Sequence, residues 1–187
     1  MSNRLFVALE LPPQAKEFVY RLLGEIDPKG KIKWETFGKL HVTLKFLGET
    51  EKEKTAEVKA VLENFVENKN PLELKINRFG FFKRNGKPQI LWAGFERNDA
   101  FEEYFSELDE RLEKIGFEKE KRKFHPHVTL KRLKGNEDEI IIEKFLTLRF
   151  EPFEFIADTV TLFKSELKPN GAIYKAVEKY NLGDKNG

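Results

Sequence analysis

One pentapeptide, His-Val-Thr-Leu-Lys, occurs twice in this chain, at residues 41–45 and 127–131. The two copies lie 86 positions apart (127 − 41 = 86). The residues around each copy predict the same order of elements: a strand, a helix, a strand that carries the pentapeptide, and a second helix. Two half-sized units of like order indicate a pseudo-two-fold arrangement. Such symmetry would place the two pentapeptide strands on opposite walls of one shared groove.

Hydrophobic periodicity divides the chain into short elements separated by turn residues. Strands are predicted at 5–9, 39–47, 72–82, 89–95 and 127–133, with a short edge strand at 31–36. Helices are predicted after Pro12 and Pro13 and at 51–68, 100–115 and 138–146. The last portion is predicted to hold strands at 153–164 and 172–177, a turn at 168–171 and a frayed tail at 184–187.

The pentapeptide has a polar face and an apolar face. In a strand, residues two apart share a face, so His41, Thr43 and Lys45 are predicted to point one way. The apolar residues between them, and Phe46, then point the other way and pack beneath a helix. The second copy repeats this geometry with His127 and Thr129.

These residue types suit acid–base chemistry. Imidazole has a reference pKa of about 6.5, so two histidines on facing walls can serve one reaction as an acid and a base. Each Thr hydroxyl can donate to an oxygen of the reacting group. One His-x-Thr strand is usually structural. Here the whole pentapeptide is repeated, and it uses two of the three histidines in the chain, which favours chemistry.

A metal site is the alternative use of these histidines. His125 precedes His127 by two residues, and with His41 the three imidazoles could hold a metal ion. Against this, no Asp or Glu lies within or directly beside either motif, and Pro126 marks the start of the strand. We therefore expect no metal and no other cofactor, and we expect His125 to orient its segment.

Composition limits the other classes of function. The formal net charge is only +2, far below that of a non-specific DNA-binding protein. The clusters at 119–123 and 83–87 are either local patches for a polyanion or solvated surface. The chain has no cysteine and no apolar run near the ~20 residues of a membrane helix, and its start reads as a strand rather than a signal. We therefore expect a cytoplasmic protein.

The two motifs and their surroundings resemble a known family. The matching segments are 5–9, Lys33-Trp34 with 40–48, 124–132, and the ending 162–167 with 171–174. They look like the two-histidine phosphoesterase superfamily, and within it the RNA 2′,3′-cyclic phosphodiesterases, also called 2′-5′ RNA ligases. One departure is Lys33, where the family often has Arg; Lys keeps the charge but loses bidentate phosphate contact.

The resemblance implies a fold and an activity. The fold is α+β and LigT-like, with two pseudo-symmetric lobes, each an antiparallel sheet with helices on its outer side, around a central cleft. Residues 1–187 would form one bilobal domain. The activity is hydrolysis of a terminal 2′,3′-cyclic phosphate of RNA to a 2′-phosphate, without a metal. Run in reverse, the same site would join RNA ends through a 2′-5′ linkage.

The resemblance also implies roles for individual residues. His41 would be the general acid and His127 the general base, although the symmetry also allows the reverse. Thr43 and Thr129 would hold the phosphate oxygens. Arg132 matches a phosphate-binding residue, but its parity places it on the face opposite His127. A bend or a strand end near Leu130 must therefore re-aim it, and Lys45 is the other cation that can meet the phosphate charge.

The expected partner is RNA that ends in a 2′,3′-cyclic phosphate, with tRNA fragments among the candidates, bound by a monomer. Bases could stack on Phe46, Trp34 or Phe82 unless these rings belong to the core. Two alternatives stay open: a phosphodiesterase for a small cyclic nucleotide, and an RNA-binding module without turnover.

Overall fold

Eight strands and four α-helices make up the part of the chain that the structure describes. The computed structural model covers residues 2–169 and 171–183. Its elements, in chain order, are β1 (Asn3–Glu10), α1 (Pro13–Ile26), β2 (His41–Thr50), α2 (Lys52–Val66), β3 (Leu72–Arg84), β4 (Lys87–Phe95), α3 (Asp99–Lys114), β5 (His127–Arg132), α4 (Glu139–Thr147), β6 (Phe153–Ala157), β7 (Thr159–Glu166) and β8 (Ile173–Asn181). Among these residues, no helix is long and apolar enough to cross a membrane.

The strands form two similar halves that meet at the pentapeptide strands. The order across the sheet is β6-β3-β4-β5-β2-β1-β7-β8, and all neighbours are antiparallel. The order reads alike from the centre outward on each side: a pentapeptide strand, its antiparallel partner and two further strands. The α+β fold with two pseudo-symmetric halves is therefore confirmed. The halves are joined into one curled sheet through the pair Val42–Val128.

The helices cover the apolar face of the sheet and connect the two halves. α1 begins at Pro13, where the missing N–H costs nothing because the first helical amides have no partner within the helix. Its buried side, which includes Val19 and Leu23, packs on β6 and α4, in the half opposite β1. α2 lies against α3 and β8. Val42 and Val128 belong to this core, which leaves the other face of β2 and β5 for His and Thr.

Two predicted strands differ from the structure. The edge strand at 31–36 is instead an irregular loop, because the Asp27 carboxylate accepts hydrogen bonds from the amides of Lys31 (2.9 Å) and Ile32 (2.7 Å). The single strand predicted at 153–164 is wrong, because the chain leaves one half at Asp158. β6 pairs with β3 before this residue, and β7 pairs with β1 after it. The predicted turn at 168–171 includes residue 170, and this residue and the tail at 184–187 lie outside the described residues.

Candidate active site

Both pentapeptide strands contain the same β-bulge. In β2, Thr43 pairs with Ala8 and Lys45 pairs with Val7, so Leu44 is an extra residue. In β5, Thr129 pairs with Trp92 and Lys131 pairs with Leu91, so Leu130 is extra. The two extra residues are 86 positions apart (130 − 44 = 86), as the pentapeptides are. A bulge of this kind reverses the inward and outward alternation of the residues that follow it.

The bulge in β5 determines which face of the sheet the Arg132 side chain points to. Regular alternation would place this side chain on the helix-covered face, away from His127. Because Leu130 is extra, Arg132 instead points to the open face and lines the same cavity as Thr129. The prediction that a bend near Leu130 re-aims Arg132 is therefore confirmed.

The bulge in β2 overturns the predicted positions of Lys45 and Phe46. Lys45, expected beside His41, turns into the core and is only 7% exposed. Phe46, expected in the core, turns to the open face and is 68% exposed. Lys45 is therefore no candidate for a substrate contact. Of the three rings considered for base stacking, Phe46 is exposed, whereas Trp34 and Phe82 are half-buried.

The four polar side chains of the two motifs come together on the open face. Val42 lies opposite Val128 in an antiparallel pair. Continuing that register places His41 opposite Thr129 and His127 opposite Thr43. Opposite residues have Cβ atoms about 5 Å apart, and diagonal ones about 7–8 Å. In this register the two imidazoles form the diagonal pair.

Backbone carbonyls fix the orientation of both imidazoles. The Nδ1 atom of His127 lies 2.7 Å from the carbonyl oxygen of His125. His41 makes the matching hydrogen bond to the backbone of Lys39, also two residues earlier. A carbonyl oxygen only accepts, so Nδ1 of His127 carries the proton and Nε2 is free to exchange one. The part that His125 plays in this contact is that of its backbone carbonyl.

Aromatic rings surround both imidazoles. The ring centroid of His41 lies 5.1 Å from that of Phe6 and 5.5 Å from that of Tyr174. The ring centroid of His127 lies 4.8 Å from that of Phe82. Burial lowers the pKa of His41 to about 4, against the hydrogen bond to Lys39, which raises it. Burial also lowers the pKa of His127, with a smaller contribution from the nearby charge of Arg132. Both rings are therefore neutral at pH 7 without a ligand.

A small cavity of about 40 Å³ lies beside His41 on the open face. His41, Thr43, Thr129 and Arg132 line it together with Phe46 and Tyr174. His127 does not line this cavity; its ring packs against Phe82 on the same open face. Sequence reasoning gave no role to Tyr174, Lys39 or Glu35, which also line the cavity. Among the described residues, no three His, Cys, Asp or Glu side chains are grouped so as to hold a metal.

The lysines of the two pentapeptides hold the loops that lead to the opposite histidine. Lys45 forms a buried ion pair with Asp109 of α3 and donates to the carbonyl of Glu118. Asp109 also accepts from the amide of Glu120 (3.0 Å), so this contact fixes the segment that leads to His127.

Lys131 makes the reciprocal contact. Its Nζ atom donates to the carbonyl of Lys33 (3.1 Å) and lies 3.7 Å from Glu137. Lys33 belongs to the loop that leads to His41. The lysine of each pentapeptide therefore holds the segment that precedes the other pentapeptide. These contacts couple the position of His41 to that of His127.

The fold matches solved structures over nearly its whole length. The crystal structure of TT0787 from Thermus thermophilus superposes with a TM-score of 0.78 at 25% identity, covering 96% of this chain and 97% of that one. E. coli LigT complexed with 3′-AMP superposes with a TM-score of 0.77 at 21% identity, covering 98% and 100%. The fold is thus LigT-like.

Sequence comparison identifies the family. The family model described as 2′-5′ RNA ligase superfamily matches residues 10–169, so this chain belongs to that superfamily. It is 35% identical to the RNA 2′,3′-cyclic phosphodiesterase of Methanocaldococcus jannaschii, covering 95% of this chain and 99% of the relative. It is 31% identical to the protein of the same name from Thermotoga maritima, covering 93% and 92%.

Proposed function

We propose that this protein is an RNA 2′,3′-cyclic phosphodiesterase that opens a terminal cyclic phosphate with water and leaves a 2′-phosphate. The observation that carries the proposal is the arrangement of two His-x-Thr strands side by side, with both pairs on one open face. Relatives that cover almost the whole chain have this name. We further propose that residues 1–187 form one bilobal domain and that no metal takes part.

In the proposed reaction a water oxygen bonds to phosphorus as the bond from phosphorus to the 3′ oxygen breaks. His127, as general base, takes a proton from the water through Nε2. His41, as general acid, gives a proton to the departing 3′ oxygen. Because burial lowers the pKa of His41, the phosphate anion must raise that pKa before His41 can act as an acid. After product leaves, His127 releases its proton to solvent, and His41 takes up a proton from solvent as the next phosphate binds.

The phosphate oxygens are assigned to the neutral and cationic donors of the cavity. Thr43 and Thr129 lie on opposite sides of the imidazole pair and can each donate one hydrogen bond. Arg132 supplies the positive charge. Phe46 provides an exposed ring beside His41 and Thr43, on which we place the terminal nucleobase.

We place this reaction on RNA ends, including tRNA fragments, with the protein acting as a monomer in the cytoplasm. The same site run in reverse would join a 2′,3′-cyclic phosphate to a 5′-hydroxyl through a 2′-5′ linkage. Hydrolysis dominates at equilibrium because water is in large excess.

The test is incubation with a short RNA that ends in a 2′,3′-cyclic phosphate, followed by ³¹P NMR of the product. We expect the 2′-monophosphate alone, and the same rate in the presence of EDTA. A 3′-monophosphate would show that the other ring bond breaks, and no reaction would contradict the proposed activity. A rate abolished by EDTA and restored by a divalent cation would contradict the metal-free mechanism.

A further inference from the structure

A second and larger cavity, of about 860 Å³, adjoins the histidine site. It lies between the loop before β2 and the segment that follows β5. It shares four lining residues with the small cavity: Glu35, Lys39, Arg132 and Tyr174. The two cavities are therefore direct neighbours, and a molecule held at the histidines has the larger one beside it.

The lining of this larger cavity is positively charged. Six cations line it: Lys31, Lys33, Lys39, Lys131, Arg132 and Lys134. Three of them have a carboxylate partner in the same lining, Lys31 with Asp138 (2.8 Å), Lys39 with Glu35 (3.5 Å) and Lys131 with Glu137 (3.7 Å). Six cations and three carboxylates leave a net charge of +3 (6 − 3 = 3).

The excess charge belongs to identifiable side chains. Arg132 is the cation at the junction with the histidine site. Lys33 and Lys134 are exposed, and among residues 2–169 and 171–183 neither has a carboxylate within ion-pair distance. The backbones around both are fixed, because Lys131 binds the carbonyl of Lys33 and Glu137 binds the amide of Lys134 (2.8 Å). Two ammonium groups without a carboxylate partner among the described residues therefore flank the groove, each on a backbone that is anchored by a hydrogen bond.

The chemistry of the proposed substrate determines which part of it can lie in this groove. A 2′,3′-cyclic phosphate is the 3′ end of an RNA, so the rest of the chain leaves the site only in the 5′ direction. Each preceding nucleotide carries one phosphodiester charge, which a lysine can neutralise with release of counterions. Trp34, in the same lining, offers part of an aromatic surface for a base. A mononucleotide would not reach these residues.

We propose that this groove binds the nucleotides on the 5′ side of the cyclic phosphate, with Lys33 and Lys134 contacting their phosphates. The inference rests on the proposed function and adds a preference for oligonucleotides over mononucleotides. It also differs from the basic clusters seen in the sequence. Lys121 at 119–123 pairs with Glu118 (2.7 Å), and neither cluster lines the groove.

The test compares two substrates and two charge-matched variants. The substrates are cytidine 2′,3′-cyclic monophosphate and a five-nucleotide RNA that ends in the same group. The variant is Lys33→Gln/Lys134→Gln. The control is Lys83→Gln/Lys87→Gln, which removes the same charge from exposed positions on the β3–β4 hairpin.

For the wild-type protein we expect a lower KM for the RNA than for the mononucleotide. In the groove variant we expect KM for the RNA to rise about 10-fold, with kcat/KM for the mononucleotide changing less than about twofold. Loss of two phosphate contacts should also reduce the slope of log kcat/KM against log salt by about 1.4. The control should keep the wild-type KM and slope.

Several results would contradict the proposal that the groove binds RNA and would leave the proposed function unaffected. They are equal KM values for RNA and mononucleotide in the wild type, an unchanged KM in the groove variant, or an equal rise in the control. The last would place the RNA over the hairpin. Failure of the proposed function is separate, because the wild-type protein would then open neither cyclic phosphate.

Discussion

Strands β2 and β5 have the same pentapeptide and the same bulge, yet they present different chemistry to the cleft. After the bulge, β2 exposes the ring of Phe46, whereas β5 exposes the guanidinium of Arg132. The two positions correspond in the repeat (132 − 46 = 86). The histidines differ too, because burial lowers the pKa of His41 further than that of His127. The identical pentapeptides thus give the two strands the same backbone geometry. The residues just after them, Phe46 and Arg132, make the two sides of the cleft chemically different.

The largest expected effect is the loss of either imidazole. His41→Ala and His127→Ala should each lower kcat by roughly 10³-fold, within the range of general acid–base catalysis. The double variant should be about as slow as either single one, because the two groups act as a unit. His125→Ala is the control, since its backbone carbonyl orients His127 and stays in place. A single variant that keeps most of its rate would contradict the paired mechanism.

A modified leaving group separates the acid from the base. A substrate with sulfur in place of the 3′ oxygen needs less protonation, because a thiol is far more acidic than an alcohol. We expect this substrate to restore much of the rate of His41→Ala and little of that of His127→Ala. The opposite pattern would show that His127 is the general acid and His41 the general base.

The two pentapeptide lysines should differ in their effect on stability. Lys45→Met leaves the carboxylate of Asp109 buried and unpaired, which should cost about 3 kcal/mol of unfolding free energy. Lys131→Met should cost about 1 kcal/mol, because Glu137 still accepts the amides of Lys134 and Gly135. Urea unfolding at pH 7 measures both. Equal losses would contradict the asymmetry, and Lys45→Met/Asp109→Leu should recover most of the stability.

The side chains after the bulges should separate turnover from binding. Arg132→Gln should lower kcat by about 10²-fold, because the charge that develops on the phosphate loses a preorganised donor. Phe46→Ala should instead raise KM about 10-fold, within the ~1–3 kcal/mol of a base–aromatic contact. Phe46→Tyr is the matched control. If Phe46→Ala acts equally on a ribose 2′,3′-cyclic phosphate that lacks a base, the ring does not bind the base.

The smallest expected effect is on titration. NMR of the free protein should give His41 a pKa of about 4, and an added phosphate should raise it, since the anion favours the protonated ring. The unfolded value is near 6.5, so the native ring binds its proton less readily. Its contribution to unfolding free energy is therefore complete above about pH 6.5 and is lost as the pH falls toward 4. A pKa near 6.5 in the free protein would contradict the burial of this ring.

Local pattern predicted most of the fold and the four motif side chains, but it did not predict what depends on strand pairing. The faces of Thr43 and Thr129 follow from alternation alone. The position of Lys45 does not, because the bulge exists only through pairing with β1. The break at Asp158 was missed for the same reason, since both flanking segments read as strand. Tyr174 reaches the site from a distant strand, and no local signal marks it.

The most direct measurement is a crystal structure of this protein with a short RNA that ends in a 2′-phosphate, the proposed product. We expect one phosphate between β2 and β5, with Nε2 of His41 and of His127 each about 3 Å from its oxygens. Both Thr hydroxyls should donate to the same group. A phosphate held by one imidazole, with the other ring turned away, would contradict the claim that two histidines act on a single phosphorus.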